Sequence, residues 1–169
     1  MTNILNAKMK YIQGRVIGDR IVHYTRAELI YQKTYTHQVA AFVKATGNRM
    51  CPFVNVDVNL DIFWGESKVH ADMREFLSHM EKTILYGVEV NRLSPVYECI
   101  SLCMHHYKDM NSLYLLADSG ISLSLFCDLD GYFSQVKPDA KELRETCDML
   151  GVTGYITFCL WHTNRVFHS

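Results

Sequence analysis

The chain lacks long hydrophobic runs, an excess of basic charge and any glycine-rich phosphate-binding loop. No segment reaches the roughly 18 apolar residues that a membrane-spanning helix requires, so the sequence predicts a soluble chain without a membrane partner. Its 17 Lys and Arg are balanced by 18 Asp and Glu. Basic residues nowhere form a stripe that would neutralise a row of phosphates, so nucleic acid is not expected as a partner.

Proline is also scarce, with three residues in the chain, so glycine must mark most turns. The N-terminus has no long apolar core of a secretion signal. The six cysteines are scattered, without the spacing of a disulfide or zinc framework. Reduced thiols and a cytoplasmic location are therefore expected.

The apolar content is sufficient for a hydrophobic core. At 169 residues and 49% hydrophobic composition, the length suits one globular domain. No repeat or low-complexity linker divides the chain. We predict an N-terminal extension over residues 1–8 and a single globular domain over 9–169.

Within residues 53–63, apolar and polar side chains alternate from Val54 to Ile62, which predicts a β-strand with one face in the core. The opposite face would carry Asn55, Asp57, Asn59 and Asp61. Three interpretations of this face stay open: a solvated sheet surface, a partner-binding surface, or part of a metal site.

Local signals predict the other elements. The pair Gly18–Asp19 suits the turn of a hairpin over 9–24, and Thr25 with Glu28 forms a capping box that opens a helix over 26–46. Apolar spacings of three and four predict a helix over 69–84, and Ser94 followed by Pro95 opens another.

The last third of the chain is predicted to contain a second hairpin (113–127), a helix (138–150) and two strands (155–162 and 166–168). The resulting order shows no regular alternation of strands and helices. The expected fold is therefore α+β, with a mixed or antiparallel sheet and about four helices.

Three soft metal ligands recur in the helix that begins near Ser94. Cys99, Cys103 and His106 are spaced by four and three residues, so they share one helical face and offer three ligands to zinc. The same pattern is typical of small buried cysteines in an apolar stripe.

The segment Asp128-Leu129-Asp130-Gly131 follows an apolar run and resembles the first motif of haloacid-dehalogenase-like phosphatases. The resemblance implies a nucleophilic Asp128 and an acid–base Asp130. If the strand at 53–63 brings Asp57 and Asp61 close to these two carboxylates, the four would bind a divalent metal ion. A metal-dependent phosphoesterase or nuclease is therefore the alternative function.

No glycine-rich phosphate loop, G-x-S-x-G elbow or H-E-x-x-H helix is present, so the leading hypothesis is a non-catalytic protein-binding module without a cofactor, using Asn55, Asp57, Asn59 and Asp61 as its surface. In size the chain is similar to bacteriophage inhibitors of the host Lon protease, although no motif carries this resemblance. The resemblance implies an ATP-dependent protease as the partner and the host cytoplasm as the location.

Overall fold

A computed structural model describes residues 9–35, 38–63, 70–110 and 123–168. These residues form six helices and two antiparallel sheets, so the predicted α+β class is confirmed. They group into two compact units, 1–70 and 71–169. The predicted extension over 1–8 lies outside the described residues, and the single domain over 9–169 stays a prediction.

The first unit is a four-stranded antiparallel sheet with strand order β2-β1-β3-β4 and one helix. Phe42 and Val43 on β3 are almost fully buried and form the centre of its core. The elements are β1 (Ile12–Ile17), β2 (Arg20–His23), α1 (Arg26–Tyr35), β3 (Gln38–Ala45) and β4 (Phe53–Asn59).

The hairpin of β1 and β2 and the capping box confirm the local predictions. Gly18 has a φ of 59°, as a tight turn requires. The Glu28 carboxylate accepts from the Thr25 backbone at 2.8 Å, and the Thr25 hydroxyl accepts from the Glu28 backbone at 3.3 Å. The Thr25 and Arg15 hydrogen bonds lower the pKa of Glu28 to about 2.

The helix predicted over 26–46 ends at Tyr35, and Gln38–Ala45 forms β3 instead. Ile12 pairs with Val43 on one side of β3, and Asn55 pairs with Val43 on the other. A strand that is central to a sheet gains backbone hydrogen bonds on both edges, which outweighs a weak helical pattern.

The second unit contains a two-stranded sheet and five helices among its described residues. Ile100, Cys103 and Met104 of its longest helix are fully buried, as are Leu129 and Cys159. The elements are α2 (Met73–Ser78), β5 (Met80–Leu85), β6 (Val88–Leu93), α3 (Pro95–Met110), α4 (Leu123–Gln135), α5 (Ala140–Leu150) and α6 (Thr153–Phe167).

The single helix predicted over 69–84 is wrong for its described part. The helix α2 ends at Ser78, and the chain continues into the hairpin of β5 and β6. Tyr86 and Gly87 have φ values of 50° and 78°, the left-handed pair that a two-residue hairpin turn requires. Gly87 therefore lies in a hairpin turn.

Two other predicted strand regions are helical. Residues 123–127 belong to α4, while the rest of the predicted second hairpin, 113–122, lies outside the described residues. The strand predicted over 155–162 falls within α6, and the one predicted over 166–168 covers the last two residues of α6 and its C-cap. Ile156, Cys159 and Thr163 of α6 are buried at spacings of three and four, which is the period of a packed helix.

The helices α3 and α5 confirm their predictions. A left-handed Gly151 ends α5, and the Asp139 side chain caps its start. Ser94 precedes α3, but its hydroxyl has no hydrogen-bond partner, so the expected side-chain cap is not formed. Within the described ranges, no helix is long and apolar enough to cross a membrane.

Candidate functional site

The polar face of β4 carries three of the four predicted surface residues. Asn55, Asp57 and Asn59 alternate with valines along this edge strand, and all three are exposed. The Asn55 amide donates to the Asp57 carboxylate at 3.4 Å. Asn59 accepts a hydrogen bond from the Gln38 side chain at 3.0 Å. These three residues therefore form an exposed polar surface with one carboxylate.

Asp61 lies beyond the end of β4 and is buried, with 7% of its surface exposed. Its Oδ1 accepts a hydrogen bond from the Phe63 backbone at 3.0 Å, and its Oδ2 lies 3.0 Å from His70 Nδ1. Ile62 and Phe63, both buried, hold this segment in the first unit. The continuous polar face expected over 55–61 is therefore interrupted at Asp61.

The Asp61–His70 pair combines a buried acid with an accessible ring. The Asp61 side chain is 8% exposed and the His70 side chain 58%. A carboxylate beside Nδ1 favours the tautomer with its proton on that nitrogen, which leaves Nε2 as the basic atom of the neutral ring. A ring held in this way can accept a proton from a substrate.

Two other acid–histidine pairs differ from Asp61–His70 in their surroundings. His79 lies 3.1 Å from Glu75, and His105 lies 3.5 Å from Asp109, each pair one helical turn apart in sequence. Their carboxylates are 40% and 36% exposed, respectively. Solvent screens such pairs, so they orient the imidazole less firmly than a buried carboxylate does.

His70 was not identified from the sequence as a site residue. Nine positions separate it from Asp61, and residues this far apart share neither a helical face nor a strand period. The segment between them contains residues 64–69, which are outside the described ranges. No pattern in a single sequence could have paired these two residues.

The other two predicted carboxylates belong to the second unit. Asp128 and Asp130 lie within α4, so the Asp-x-Asp-Gly segment is helical and does not form the strand-to-loop junction that its resemblance implied. Asp128 is 65% exposed and its Oδ2 lies 4.0 Å from His106 Nε2. Asp130 is partly buried.

The predicted soft ligands lie in the core of the second unit. Cys99 and Cys103 are fully buried, and the Cys159 thiol donates to the Cys103 backbone carbonyl at 3.3 Å. Hydrogen bonds with the Cys159 and Cys99 thiols, together with burial, raise the pKa of Cys103 well above its usual value. Their complete burial shows that these cysteines pack as core residues.

His106 is buried beside these cysteines. Neither of its ring nitrogens has a hydrogen-bond partner, and burial lowers its pKa. Across the described parts of the chain, no group of three or more His, Cys, Asp or Glu side chains is arranged to hold a metal ion. The zinc set and the four-carboxylate set therefore remain predictions without a ligand cluster to support them.

Comparison with protein families provides the decisive observation. A family described as an uncharacterised nucleotidyltransferase matches residues 15–168, which covers nearly the whole chain. The chain belongs to this family. No curated protein and no solved structure matches the chain.

Membership in a nucleotidyltransferase family overturns the leading functional hypothesis. The resemblance to bacteriophage Lon inhibitors is wrong, and with it the non-catalytic protein-binding module and the protease partner. Similar size carried that resemblance, and size does not determine a family. The alternative of a phosphoesterase or nuclease is replaced as well, because nucleotidyl transfer forms a phosphate ester rather than hydrolysing one.

The expectation that nucleic acid is not a partner is also wrong, because the family description implies nucleotide substrates. That expectation depended on the missing basic stripe. A stripe is needed to bind a polymer with many phosphates, whereas a single nucleotide carries too few phosphates to require one. A balanced overall charge therefore does not exclude a protein that binds a single nucleotide.

Proposed function

We propose that this protein transfers a nucleoside monophosphate from a nucleoside triphosphate to an acceptor molecule. The observation that carries the proposal is the nucleotidyltransferase family match over residues 15–168. It includes all of the described sheet from Arg15 onward and all described helices. The six free thiols and the need for nucleoside triphosphates support a cytoplasmic location.

The reaction requires a base. The acceptor hydroxyl oxygen forms a bond with the α-phosphorus, the bond from that phosphorus to the bridging oxygen breaks, and pyrophosphate leaves with the electron pair. The hydroxyl proton must move to a nearby group as this happens. We assign that role to His70, oriented by the buried Asp61 carboxylate 3.0 Å from Nδ1.

The polar face of β4 is the proposed substrate-facing surface of the first unit. Asp57 is exposed there between two asparagines, and amide groups can donate hydrogen bonds to phosphate or base atoms. The first unit carries nine Lys and Arg against five Asp and Glu, a net charge of +4. Such a balance favours the approach of an anionic nucleotide.

Phosphoryl transfer commonly employs magnesium, and oxygen ligands such as those of Asp57, Asn55 and Asn59 suit that ion. These residues provide one carboxylate, and among the described residues no three or more acidic, His or Cys side chains are arranged to hold a metal ion. They do not constitute a complete magnesium site. We therefore assign no catalytic step to a metal ion.

Nucleotide binding and transfer can be measured separately. Equilibrium dialysis of the full chain against ATP, GTP, CTP and UTP, each with magnesium, should detect binding of at least one. With the bound nucleotide labelled at its α-phosphate and a cell extract as the source of acceptors, label should move to a new product. Absence of binding by all four nucleotides would contradict the proposal.

The variant His70→Asn tests the assigned base. Removing a general base lowers a rate about 100-fold or more, so label transfer should fall by that factor while nucleotide binding persists. His105→Asn is the matched control, because its imidazole also lies beside an aspartate but on an exposed helical surface. Equal loss of transfer in both variants would remove His70 from the mechanism.

A further inference from the structure

A groove in the second unit lies between the C-terminal halves of α4 and α6. Its volume is about 430 Å³, which is within the range of small-molecule sites. Among the described residues it is lined by Asp130, Phe133, Ser134, Leu160, Thr163 and Asn164. None of these residues has a role in the proposed nucleotidyl transfer, so the groove can be considered independently.

Two hydroxyl groups that line the groove donate their protons to backbone carbonyl groups of their own helices. Ser134 Oγ donates to the Asp130 backbone carbonyl at 2.8 Å, and Thr163 Oγ1 donates to the Cys159 carbonyl at 2.9 Å. A hydroxyl has one proton to donate, so both oxygens are left with acceptor lone pairs. With the Asp130 carboxylate, which also only accepts, three of the four polar side chains of the groove offer acceptors, and the fourth, Asn164, carries both a donor and an acceptor. Its ligand should therefore be a hydrogen-bond donor.

The charge of the groove is negative. Asp130 is partly buried, and within the described ranges no ion pair to its carboxylate is formed. Phe133 and Ser134 lie in the last turn of α4, and Asn164 lies in the last turn of α6, where the terminal carbonyl groups give a helix partial negative charge. The second unit has eight Lys and Arg against thirteen Asp and Glu, a net charge of −5.

Arg165, the one Lys or Arg residue of α6, does not line the groove. The Arg165 guanidinium lies 5.6 Å from the centre of the Trp161 ring. At 100° per residue, Trp161 and Arg165 occupy a different face of α6 from Leu160 and Thr163. Arg165 is therefore not positioned to neutralise the groove.

The apolar part of the groove consists of Phe133 and Leu160, which are partly buried. An aromatic ring attracts a cation at its face and also packs against an apolar body. We propose that this groove binds a small organic cation, in which a primary ammonium group is carried on an apolar body. The ammonium group would donate to Asp130 and the hydroxyl oxygens, and the body would contact Phe133 and Leu160.

The test compares two probes of nearly equal shape on the unaltered full chain. 2-Phenylethylammonium carries the cation, and 2-phenylethanol is its neutral counterpart. Titration monitored by calorimetry or ligand-observed NMR should show binding of the ammonium compound at least tenfold tighter than that of the alcohol. Equal affinity, or no binding of the ammonium compound at millimolar concentration, would overturn the proposal.

The variant Asp130→Asn then locates the binding site. It keeps the side-chain shape and removes the charge, so affinity for 2-phenylethylammonium should fall about tenfold or more. Asp128→Asn is the matched control, since this carboxylate lies on the same helix but does not line the groove, and its affinity should be unchanged. Equal affinity of wild type and Asp130→Asn would show that the cation binds elsewhere. Comparing the two probes on the wild-type chain needs no variant, so a folding defect would not prevent a decision.

Discussion

The two units of this protein differ in the number of apolar residues that they bury and in the hydrogen bonding of their buried polar residues. Five buried apolar residues form the described core of the first unit, against fourteen in the second. The first unit buries the Asp61 carboxylate with hydrogen-bond partners, whereas the second unit buries His106 without one. A small core makes each of its residues more important, and a larger core can accommodate a buried polar group.

The two units also differ in the sign of their net charge. The first unit has a net charge of +4 and the second of −5, although the whole chain is nearly neutral. An overall balance therefore conceals two surfaces of opposite sign. Net charge is informative about partners only when it is assigned to structural units.

The largest expected effect is the loss of Phe42 from the small core. Phe42 is fully buried on the central strand β3, and truncating a buried phenylalanine to alanine costs about 3–5 kcal/mol. Phe42→Ala should therefore expose the amides of β1, β3 and β4 to hydrogen exchange, measured by mass spectrometry. Unchanged protection of these strands would show that the sheet does not depend on this core.

The exposed Ile84 of the second unit provides a control for Phe42. It is 75% exposed in the hairpin of β5 and β6, so Ile84→Ala should change the free energy of unfolding by less than about 0.5 kcal/mol. A large effect of Ile84→Ala would mean that this hairpin is covered in solution. Ile84 would then not serve as an exposed control for Phe42.

Glycine-to-alanine substitutions at Gly14 and Gly131 compare a crowded backbone position in the first unit with an open one in the second. A Cβ added to Gly14 in β1 would lie 2.4 Å from the Val22 carbonyl oxygen, closer than the backbone can allow. Gly14→Ala should lower the free energy of unfolding by about 1–3 kcal/mol, measured by chemical denaturation. A neutral result would show that the hairpin of β1 and β2 adjusts without cost.

Buried His106 predicts a pH dependence that belongs to the second unit. Burial lowers its pKa below the ordinary value of 6.5, so the unfolded chain binds a proton more readily than the folded chain. Stability is therefore highest above pH 6.5 and falls as the pH decreases towards the folded pKa. His105 on the same helix also disfavours the charged ring, while Asp109 and Asp128 favour it.

The variant His106→Leu should remove this part of the pH dependence. It also replaces an unpartnered buried polar group with an apolar one, which should raise the free energy of unfolding by about 1 kcal/mol. Denaturation curves between pH 5 and 8 would report both effects. A wild-type profile that is retained in the variant would assign the dependence to other groups.

The smallest expected effect concerns Gly131 within α4. A Cβ added there meets no atom within 4 Å, and alanine is favoured over glycine inside a helix by about 0.5–1 kcal/mol. Gly131→Ala should stabilise the protein by that amount, opposite in sign to Gly14→Ala. If Gly131→Ala destabilises the protein, the Asp-x-Asp-Gly segment is not an ordinary helical turn.

The errors in predicting the fold share one cause. Residues 69–84 and 155–162 contain apolar side chains at spacings that suit either a short strand or a helix. In residues 69–84, the left-handed pair Tyr86–Gly87 favours a strand for the second half of the segment, because two successive left-handed residues join antiparallel strands. In residues 155–162, burial of Ile156 and Cys159 against the other helices favours a helix. Both decisions depend on contacts that a periodicity in one segment does not contain.

The candidate site was predicted only in part. The alternating pattern found the exposed Asn55, Asp57 and Asn59, because a strand period is a local property. The pattern placed Asp61 on the same face. In the structure β4 ends at Asn59, and Asp61 lies beyond the strand with its carboxylate buried. The interaction of Asp61 with His70 depends on the path of the chain beyond the strand.

The sequence by itself determined the features whose interacting groups lie within a few residues of one another. These are the Gly18 turn, the Thr25–Glu28 capping box, and the end of α5 at Gly151. Only the tertiary structure decided that residues 38–45 form a strand, that α6 is a helix, and that Asp61 meets His70. Local hydrogen bonds follow from neighbouring residue types, whereas strand pairing, burial and charge pairing depend on distant segments that compete for the same positions.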